Sequence, residues 1–187
     1  GHWDRAASLG ALALENKIEA YNLPQGVISH MYRDIAAHKV GTITHVGLYT
    51  FVDPRNGGGK LNSATTEDIV KIVNIEGQER LLYKSFPINV VFVRGSYADE
   101  YGNCTVHHEI GPIDVTAMAQ ACRNSGGKVI VQVEKVVQGG TLDPKLVAIP
   151  GIYVDAIVIG SAEDNMQCLG TPYDGSLTGE YRIPMDA

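Results

Sequence analysis

Two stretches near the start of the chain carry the residues best suited to chemistry. The first, residues 18–26, reads Ile-Glu-Ala-Tyr-Asn-Leu-Pro-Gln-Gly and places Gln25 directly after Pro24. A side-chain amide both donates and accepts hydrogen bonds, which suits the binding of a carboxylate or a thioester carbonyl. Pro24 is typical of the first helical position, so the N–H groups and partial positive charge of a helix N-terminus are expected beside Gln25. The alternative is that Pro-Gln-Gly only starts a helix.

The second stretch, residues 47–62, begins with Gly47, Leu48 and Tyr49 after a predicted strand. In open α/β sheets, ligands bind beyond the carboxyl ends of the strands, so these residues and Gln25 are expected to lie side by side. Gly47 has no Cβ and would let the backbone approach a ligand closely. Together with Gly26, Gln25, Gly47, Leu48 and Tyr49 form the predicted ligand-binding set.

The same stretch contains a triple glycine, residues 57–59, followed by Lys60. A phosphate-binding loop needs a glycine and a Ser or Thr where Pro54 and Leu61 stand, so that comparison fails. A mobile hairpin tip is therefore the favoured interpretation of the glycines.

Other reactive side chains have weaker patterns. Of the six histidines, His107 and His108 with Glu109 form the only dense group, and Pro112 interrupts the helix that a zinc site would need. Surface or hydrogen-bonded core histidines are therefore expected, and no metal site is predicted. Cys122 falls on the apolar face of a predicted helix and is interpreted as a small core residue.

Composition excludes several classes of function. The 187 residues are 44% hydrophobic and 19% charged, which is typical of a globular protein. A net charge of -6 without a Lys/Arg cluster argues against a nucleic-acid partner. No apolar run reaches membrane-spanning length, and the start lacks the pattern of a signal peptide. The three cysteines fit neither a disulfide framework nor a zinc spacing, so a cytoplasmic location is expected.

Apolar strands alternate with amphipathic helices, which predicts an α/β fold with a mostly parallel sheet flanked by helices. Helices are predicted over 6–16, from Pro24 to near His38, and around Val115 to Cys122, ending at Gly126 and Gly127. A hairpin is predicted at Val70 to Tyr83 around Glu76-Gly77-Gln78. The remaining strands are predicted at Ile18–Asn22, Ile43–Leu48, Asn89–Val93 (covered on both faces), Lys128–Val133 and Tyr153–Ile159. Residues 161–187 are polar and aperiodic, which is typical of an extended linker or arm.

Several motifs together resemble the family I coenzyme A transferases of the acetate and propionate type. They include Tyr-Asn-Leu-Pro-Gln-Gly at 21–26, Gly-Leu-Tyr-Thr-Phe-Val-Asp-Pro-Arg at 47–55, Ala-Asp-Glu-Tyr-Gly-Asn at 98–103, Glu-Ile-Gly-Pro at 109–112 and Ile-Pro-Gly-Ile-Tyr-Val-Asp at 149–155. The resemblance implies two related α/β domains, a fold related to the sugar-phosphate isomerase-like proteins. Residues 1–160 would be a partial amino-terminal domain, and 161–187 an arm toward an absent carboxyl-terminal domain.

The reaction that the resemblance implies is transfer of coenzyme A from an acyl-CoA to a short-chain carboxylate through a glutamyl thioester, as in short-chain fatty acid and ketone-body metabolism. Gln25 matches the family's pocket-lining glutamine, whereas Tyr49 departs from a small or acidic residue. The nucleophilic glutamate is expected outside this chain, because Glu109 aligns to the first domain, and no catalytic residue is therefore assigned.

Coenzyme A is expected as a substrate, with no permanently bound cofactor. The resemblance also implies association with the rest of the enzyme and a homo-oligomer, and it implies that the chain is inactive alone. Two alternatives remain open: an acyl-CoA hydrolase, in which water replaces the acceptor acid, and a non-catalytic ligand-sensing domain of related fold.

Overall fold

The computed structural model describes residues 6–168 and 170–185. The chain divides into two compact units, Gly1–Phe86 and Pro87–Ala187. In the part of the chain that the structure describes, no helix combines the length and apolar character needed to cross a membrane.

The first unit combines two helices with a small antiparallel sheet. Its elements are α1 (Ala7–Leu14), α2 (Gln25–Ala36), β1 (Gly41–Thr44), β2 (Val70–Ile75) and β3 (Gln78–Lys84), in the sheet order β1-β3-β2. The predicted hairpin is confirmed, with Ile75 opposite Gln78 and positive φ at both Glu76 and Gly77. Two consecutive left-handed residues are the signature of a tight type I′ turn. The apolar face of α2 buries Val27, Met31 and Ile35.

Two strand predictions in the first unit are wrong: one strand is absent, and the other is shifted along the chain. Residues 18–22 form no strand, and only Tyr21 makes an isolated bridge, with Lys60. The reason is that the Ala20 N–H donates to the Thr65 hydroxyl at 2.7 Å instead of to a neighbouring strand. The strand predicted at Ile43–Leu48 begins at Gly41 and ends at Thr44, whose hydroxyl accepts from the Val46 N–H and starts a turn.

The second unit contains the parallel sheet. Strands β4 (Val90–Arg94), β7 (Lys128–Val133) and β10 (Ala156–Ile159) pair in parallel in the order β10-β7-β4. A second, mixed sheet has the order β8-β5-β6-β9, from β5 (Tyr97–Asp99), β6 (Cys104–Thr105), β8 (Lys135–Val137) and β9 (Val147–Ile149). Helices α3 (Val115–Asn124) and α4 (Gly175–Thr178) complete it. The α/β class with a parallel sheet and helices is confirmed.

The core of the second unit lies between α3 and the parallel sheet. Ala119 and Cys122 of α3 and Val129 and Val131 of β7 are fully buried. Helix α3 ends as predicted, because Gly126 takes a left-handed φ of 78° after the last turn.

Two details of the parallel sheet differ from the sequence prediction. Strand β4 is not covered on both faces in the described residues, since Val93 is 5% exposed but Phe92 is 75% exposed. Strand β10 starts at Ala156 because Gly151–Tyr153 forms a 3-10 turn.

The described residues of the polar tail are held to the rest of the second unit by specific hydrogen bonds. The Gln132 amide donates to Asn165 Oδ1 at 2.9 Å, and the Gln167 amide donates to the His108 carbonyl at 3.0 Å. Asp174 caps α4 through the Ser176 N–H. Residues 169, 186 and 187 lie outside the described residues, and the role of 161–187 as an arm toward another domain stays a prediction.

Candidate functional site

Gln25 is the first residue of α2 and is exposed. Pro24 caps the helix from the extended region (φ −59°, ψ 131°), and its carbonyl accepts the first helical bond, from the Ile28 N–H at 3.1 Å. The side-chain amide of Gln25 makes no hydrogen bond to any other described residue. The first N–H groups of a helix also lack partners within it. The helix therefore presents a free amide and a partial positive charge at one point of the surface.

The two stretches singled out in the sequence meet in space. The Asn22 N–H donates to the Gly59 carbonyl at 2.8 Å, and the Leu61 N–H donates to the Ala20 carbonyl at 2.9 Å. Gly59 is buried with φ +76°, and a Cβ there would lie 2.8 Å from the Asn22 oxygen. The end of the triple glycine is therefore packed against the chain that leads into Gln25, and the hairpin-tip interpretation is wrong.

Lys60 is not available for a phosphate. Its ammonium group lies 2.6 Å from an Asp68 carboxylate oxygen and donates to the Thr66 carbonyl at 3.0 Å. The rejection of a phosphate loop on sequence grounds agrees with this pairing.

Gly47, Leu48 and Tyr49 form a tight turn after β1. The Leu48 N–H donates to the His45 carbonyl, and the Thr50 N–H donates to the Gly47 carbonyl, both at 3.1 Å. Gly47 has φ +102°, and a Cβ there would lie 2.4 Å from both the Tyr83 hydroxyl oxygen and Val52 Cγ2. A side chain at Gly47 would clash with both groups, so glycine is strongly favoured at this position.

The turn rests on a buried tyrosine of β3. The Tyr83 hydroxyl donates to the Val46 carbonyl at 2.8 Å, and the side chain is fully buried. Burial, with a smaller contribution from the nearby Asp53 carboxylate, raises the pKa of Tyr83 to about 12. Tyr83 therefore supports the turn as a neutral hydrogen-bond donor.

Asp53 organises the loop, and sequence reasoning missed it as a functional candidate. It is fully buried and accepts from the Tyr49 N–H at 2.8 Å and from the Arg55 N–H at 3.0 Å. The Arg55 guanidinium binds both carboxylate oxygens, at 3.0 and 2.8 Å. The Arg55 hydrogen bond, with the backbone donors, holds the pKa of Asp53 well below its usual range despite burial. Asp before Pro at a helix start is a known capping pattern that could have identified this residue.

An open groove of about 550 Å³ lies between α2 and β1. Its lining includes Gly26, His30, Asp34 and Thr42, but not Gln25, Leu48 or Tyr49. Burial would raise the pKa of Asp34, but hydrogen bonds from Lys39 and Thr42 lower it below its ordinary value. Of the predicted set, only Gly26 lines this groove, and Gln25 and Tyr49 are exposed outside its lining.

Glu109 in the second unit forms an ion pair. One of its carboxylate oxygens lies 3.0 Å from an Arg94 nitrogen, and the side chain is 12% exposed. Burial raises the pKa of Glu109, and the charge of Arg94 opposes that shift. The contact with Arg94 engages one of the two carboxylate oxygens and makes Glu109 one partner of a largely buried ion pair.

His107, His108 and Cys122 also take structural positions. His107 Nδ1 lies 2.9 Å from the Thr105 hydroxyl oxygen, and His108 Nδ1 lies 3.0 Å from a Glu134 oxygen. Burial raises the pKa of the Cys122 thiol, which disfavours the reactive thiolate. Across residues 6–168 and 170–185, no group of three His, Cys, Asp or Glu side chains is arranged to hold a metal ion.

Comparison with known proteins gives a consistent result. A family model described as Coenzyme A transferase matches residues 2–160. Caffeate CoA-transferase of Acetobacterium woodii is 46% identical over 188 residues, which cover 100% of this chain and 36% of that protein. Acetate CoA-transferase YdiF of Escherichia coli (strain K12) is 40% identical over 183 residues, covering 98% of this chain and 34% of that protein.

A solved structure agrees. The crystal structure of the acyl-CoA transferase YdiF from E. coli O157:H7, a thioester complex with CoA, superposes with a TM-score of 0.87 at 40% identity. It covers 94% of this chain and 34% of that chain. The chain thus spans about a third of the length of the curated relatives it matches.

Proposed function

Because this chain belongs to the coenzyme A transferase family, we propose that it forms part of an enzyme that transfers coenzyme A between a short-chain acyl-CoA and a free carboxylate. The match of the family model over residues 2–160 carries the proposal. Relatives at 40–46% identity, named for transfer involving acetate and caffeate, support an acid as the acceptor.

The proposed reaction passes through a glutamyl thioester whose glutamate lies outside this chain. The glutamate oxygen attacks the acyl carbonyl carbon, the C–S bond breaks, and CoA leaves as a thiolate. The thiolate then attacks the glutamyl carbonyl of the mixed anhydride and releases the first acid, and the acceptor acid reverses both steps. Covalent catalysis of this kind splits one difficult exchange into easier ones. The thioester complex with CoA of a 40% identical enzyme supports this route.

In this proposal, the residues of the first unit bind substrate and coenzyme A. The Gln25 side-chain amide, which has no hydrogen-bond partner among the described residues, and the Gly26 N–H stabilise the negative charge on the carbonyl oxygen as it is attacked. Gly47 allows the backbone of the turn to approach the substrate, and Leu48 and Tyr49 form a wall of the acid pocket.

The chain associates with the remainder of the enzyme, residues 161–187 lead toward it, and the enzyme is a homo-oligomer without a permanently bound cofactor or a nucleic-acid partner. Three free cysteines are compatible with the reducing cytoplasm that we propose.

The proposal predicts that the isolated 187-residue chain transfers no coenzyme A, because it lacks the attacking carboxylate. The purified chain is mixed with acetyl-CoA and propionate, and propionyl-CoA is followed by mass spectrometry. We expect none from the chain alone and steady formation from an enzyme preparation in which the chain is joined to the rest of the transferase.

Propionyl-CoA produced by the chain alone would contradict the assignment of the glutamate to another segment. Free acetate without propionyl-CoA from the complete enzyme would instead indicate hydrolysis. The matched control is the chain with Glu109→Gln, which should behave like the unaltered chain.

A further inference from the structure

Tyr49 has a backbone conformation that its side chain disfavours. Its φ of +64° lies in the left-handed region, which is uncommon for residues with a Cβ and is a true outlier for bulky ones. Its side chain is nevertheless 73% exposed, so burial of the ring does not compensate for the strain. Residues held in such conformations cluster at functional sites, where the surrounding structure must enforce them.

The enforcing contact comes from a fully buried carboxylate. Asp53 Oδ2 accepts the Tyr49 N–H at 2.8 Å, and the Asp53 N–H donates to the Thr50 carbonyl at 3.1 Å, so two hydrogen bonds close the turn between them. The backbone of Tyr49 is therefore fixed from inside the protein, four residues ahead in the chain.

Arg55 fixes both the carboxylate and the ring. It binds the two oxygens of Asp53 as a fork, and its guanidinium carbon lies 5.0 Å from the centre of the Tyr49 ring. A guanidinium at this distance is attracted to the ring face. A second contact, 3.3 Å to a Glu79 oxygen, ties the same side chain to the start of β3. One arginine thus connects the buried acid, the exposed ring and the hairpin.

We propose that Asp53 and Arg55 are positioning residues that hold the Tyr49 ring as a fixed wall of the acid pocket, so that bulky carboxylic acids are excluded. This inference rests on the proposed function. It assigns to the pair a role in selecting the acceptor acid that is separate from the support it gives the fold.

The first test concerns geometry and needs no activity. In the purified chain, hydrogen exchange measured by NMR should show a protected Tyr49 amide, because the donor is bound to a buried carboxylate. The protection should fall at least tenfold in Asp53→Asn, whose side chain cannot bind Arg55 as a two-oxygen fork. Glu79→Gln, which removes only the exposed partner of Arg55, should leave the protection unchanged.

The second test concerns selection. In the active transferase, the ratio of kcat/KM for hexanoate to that for acetate should rise about tenfold in Asp53→Asn, the range that small changes in an apolar pocket produce. Arg55→Lys keeps the charge but loses the fork, and it should raise the ratio in the same direction. Tyr49→Gly should raise it as well, because the wall itself is removed.

A double-mutant cycle separates positioning from support of the fold. Adding Asp53→Asn to Tyr49→Gly should not raise the ratio further, although it should still lower the urea midpoint of unfolding. An active enzyme whose ratio is unchanged by both Asp53→Asn and Arg55→Lys would overturn the positioning role alone, as would an unprotected Tyr49 amide. A wild-type enzyme that transfers no coenzyme A to any acid would overturn the proposed function itself.

Discussion

Replacing Gln25 with alanine should lower kcat/KM for coenzyme A transfer by about 100-fold or more, the usual loss when one donor to a developing oxyanion is removed. We expect no loss of thermal stability. The Gln25 side chain is exposed at the first position of α2 and makes no hydrogen bond to any described residue. Alanine also has a higher intrinsic helix propensity than glutamine. Steady-state kinetics and thermal unfolding of the same preparation therefore separate chemistry from stability.

Two controls sharpen this prediction. Gln25→Glu keeps the length of the side chain but replaces the donor with a negative charge, so it should lose at least as much activity as Gln25→Ala. Gln138→Ala removes an exposed glutamine of the second unit and should change neither activity nor stability. Activity of Gln25→Ala within about threefold of wild type would refute the role of the amide, since a lost donor costs far more.

Gly47→Ala should destabilise the first unit by about 3 kcal/mol through combined steric clash and backbone strain. The added Cβ would lie 2.4 Å from the Tyr83 hydroxyl oxygen and from Val52 Cγ2, both on buried side chains. Hydrogen exchange at the Leu81 and Tyr83 amides of β3 reports the free energy of opening of this unit. The exchange of these amides should accelerate strongly in the variant.

Gly57→Ala is the matched control for this clash. Gly57 lies in the same loop with a similar φ of +116°, but nothing stands within 4 Å of the position of an added Cβ. It should therefore cost only the left-handed backbone penalty, about 1 kcal/mol. Equal destabilisation by the two variants would mean that the clash of an added Cβ with Tyr83 and Val52 does not contribute to the loss of stability.

Local signals predicted the regular elements well. The hairpin follows from two apolar runs around Glu76-Gly77, and both turn residues have the left-handed φ that such a turn requires. Helix α3 was predictable from the apolar face of its sequence and from the glycines that end it. These elements depend on neighbouring residues, and their predictions therefore survive without knowledge of the tertiary structure.

The failures occurred where distant residues decide the conformation. Residues 18–22 have the composition of a strand. The Ala20 N–H, however, donates to the hydroxyl of Thr65, which lies 45 residues away in the sequence. The exposed face of β4 at Phe92 contradicts an apolar run that predicts burial on both sides. An apolar run in the sequence indicates that its side chains favour burial. It does not indicate whether another surface of this chain covers them.

For the candidate site, sequence reasoning found the two stretches but not what joins and supports them. Their contact through Asn22 and Gly59 depends on a backbone pairing that no local pattern encodes. Asp53 and Arg55 stood within the quoted motif, yet a buried carboxylate bound by a half-exposed arginine becomes visible only when burial and hydrogen bonds are known. Residue types therefore located the loop, and the structure identified the residues that hold it.

The central claim is that this chain provides a binding wall, whereas the attacking carboxylate belongs to another segment of the enzyme. The active transferase is treated with acetyl-CoA, the glutamyl thioester is reduced with borohydride, and the modified glutamate is located by peptide mass mapping. The account predicts an altered glutamate outside the 187 residues of this chain and none within it. Reduction of Glu109, or of any other glutamate of this chain, would contradict it.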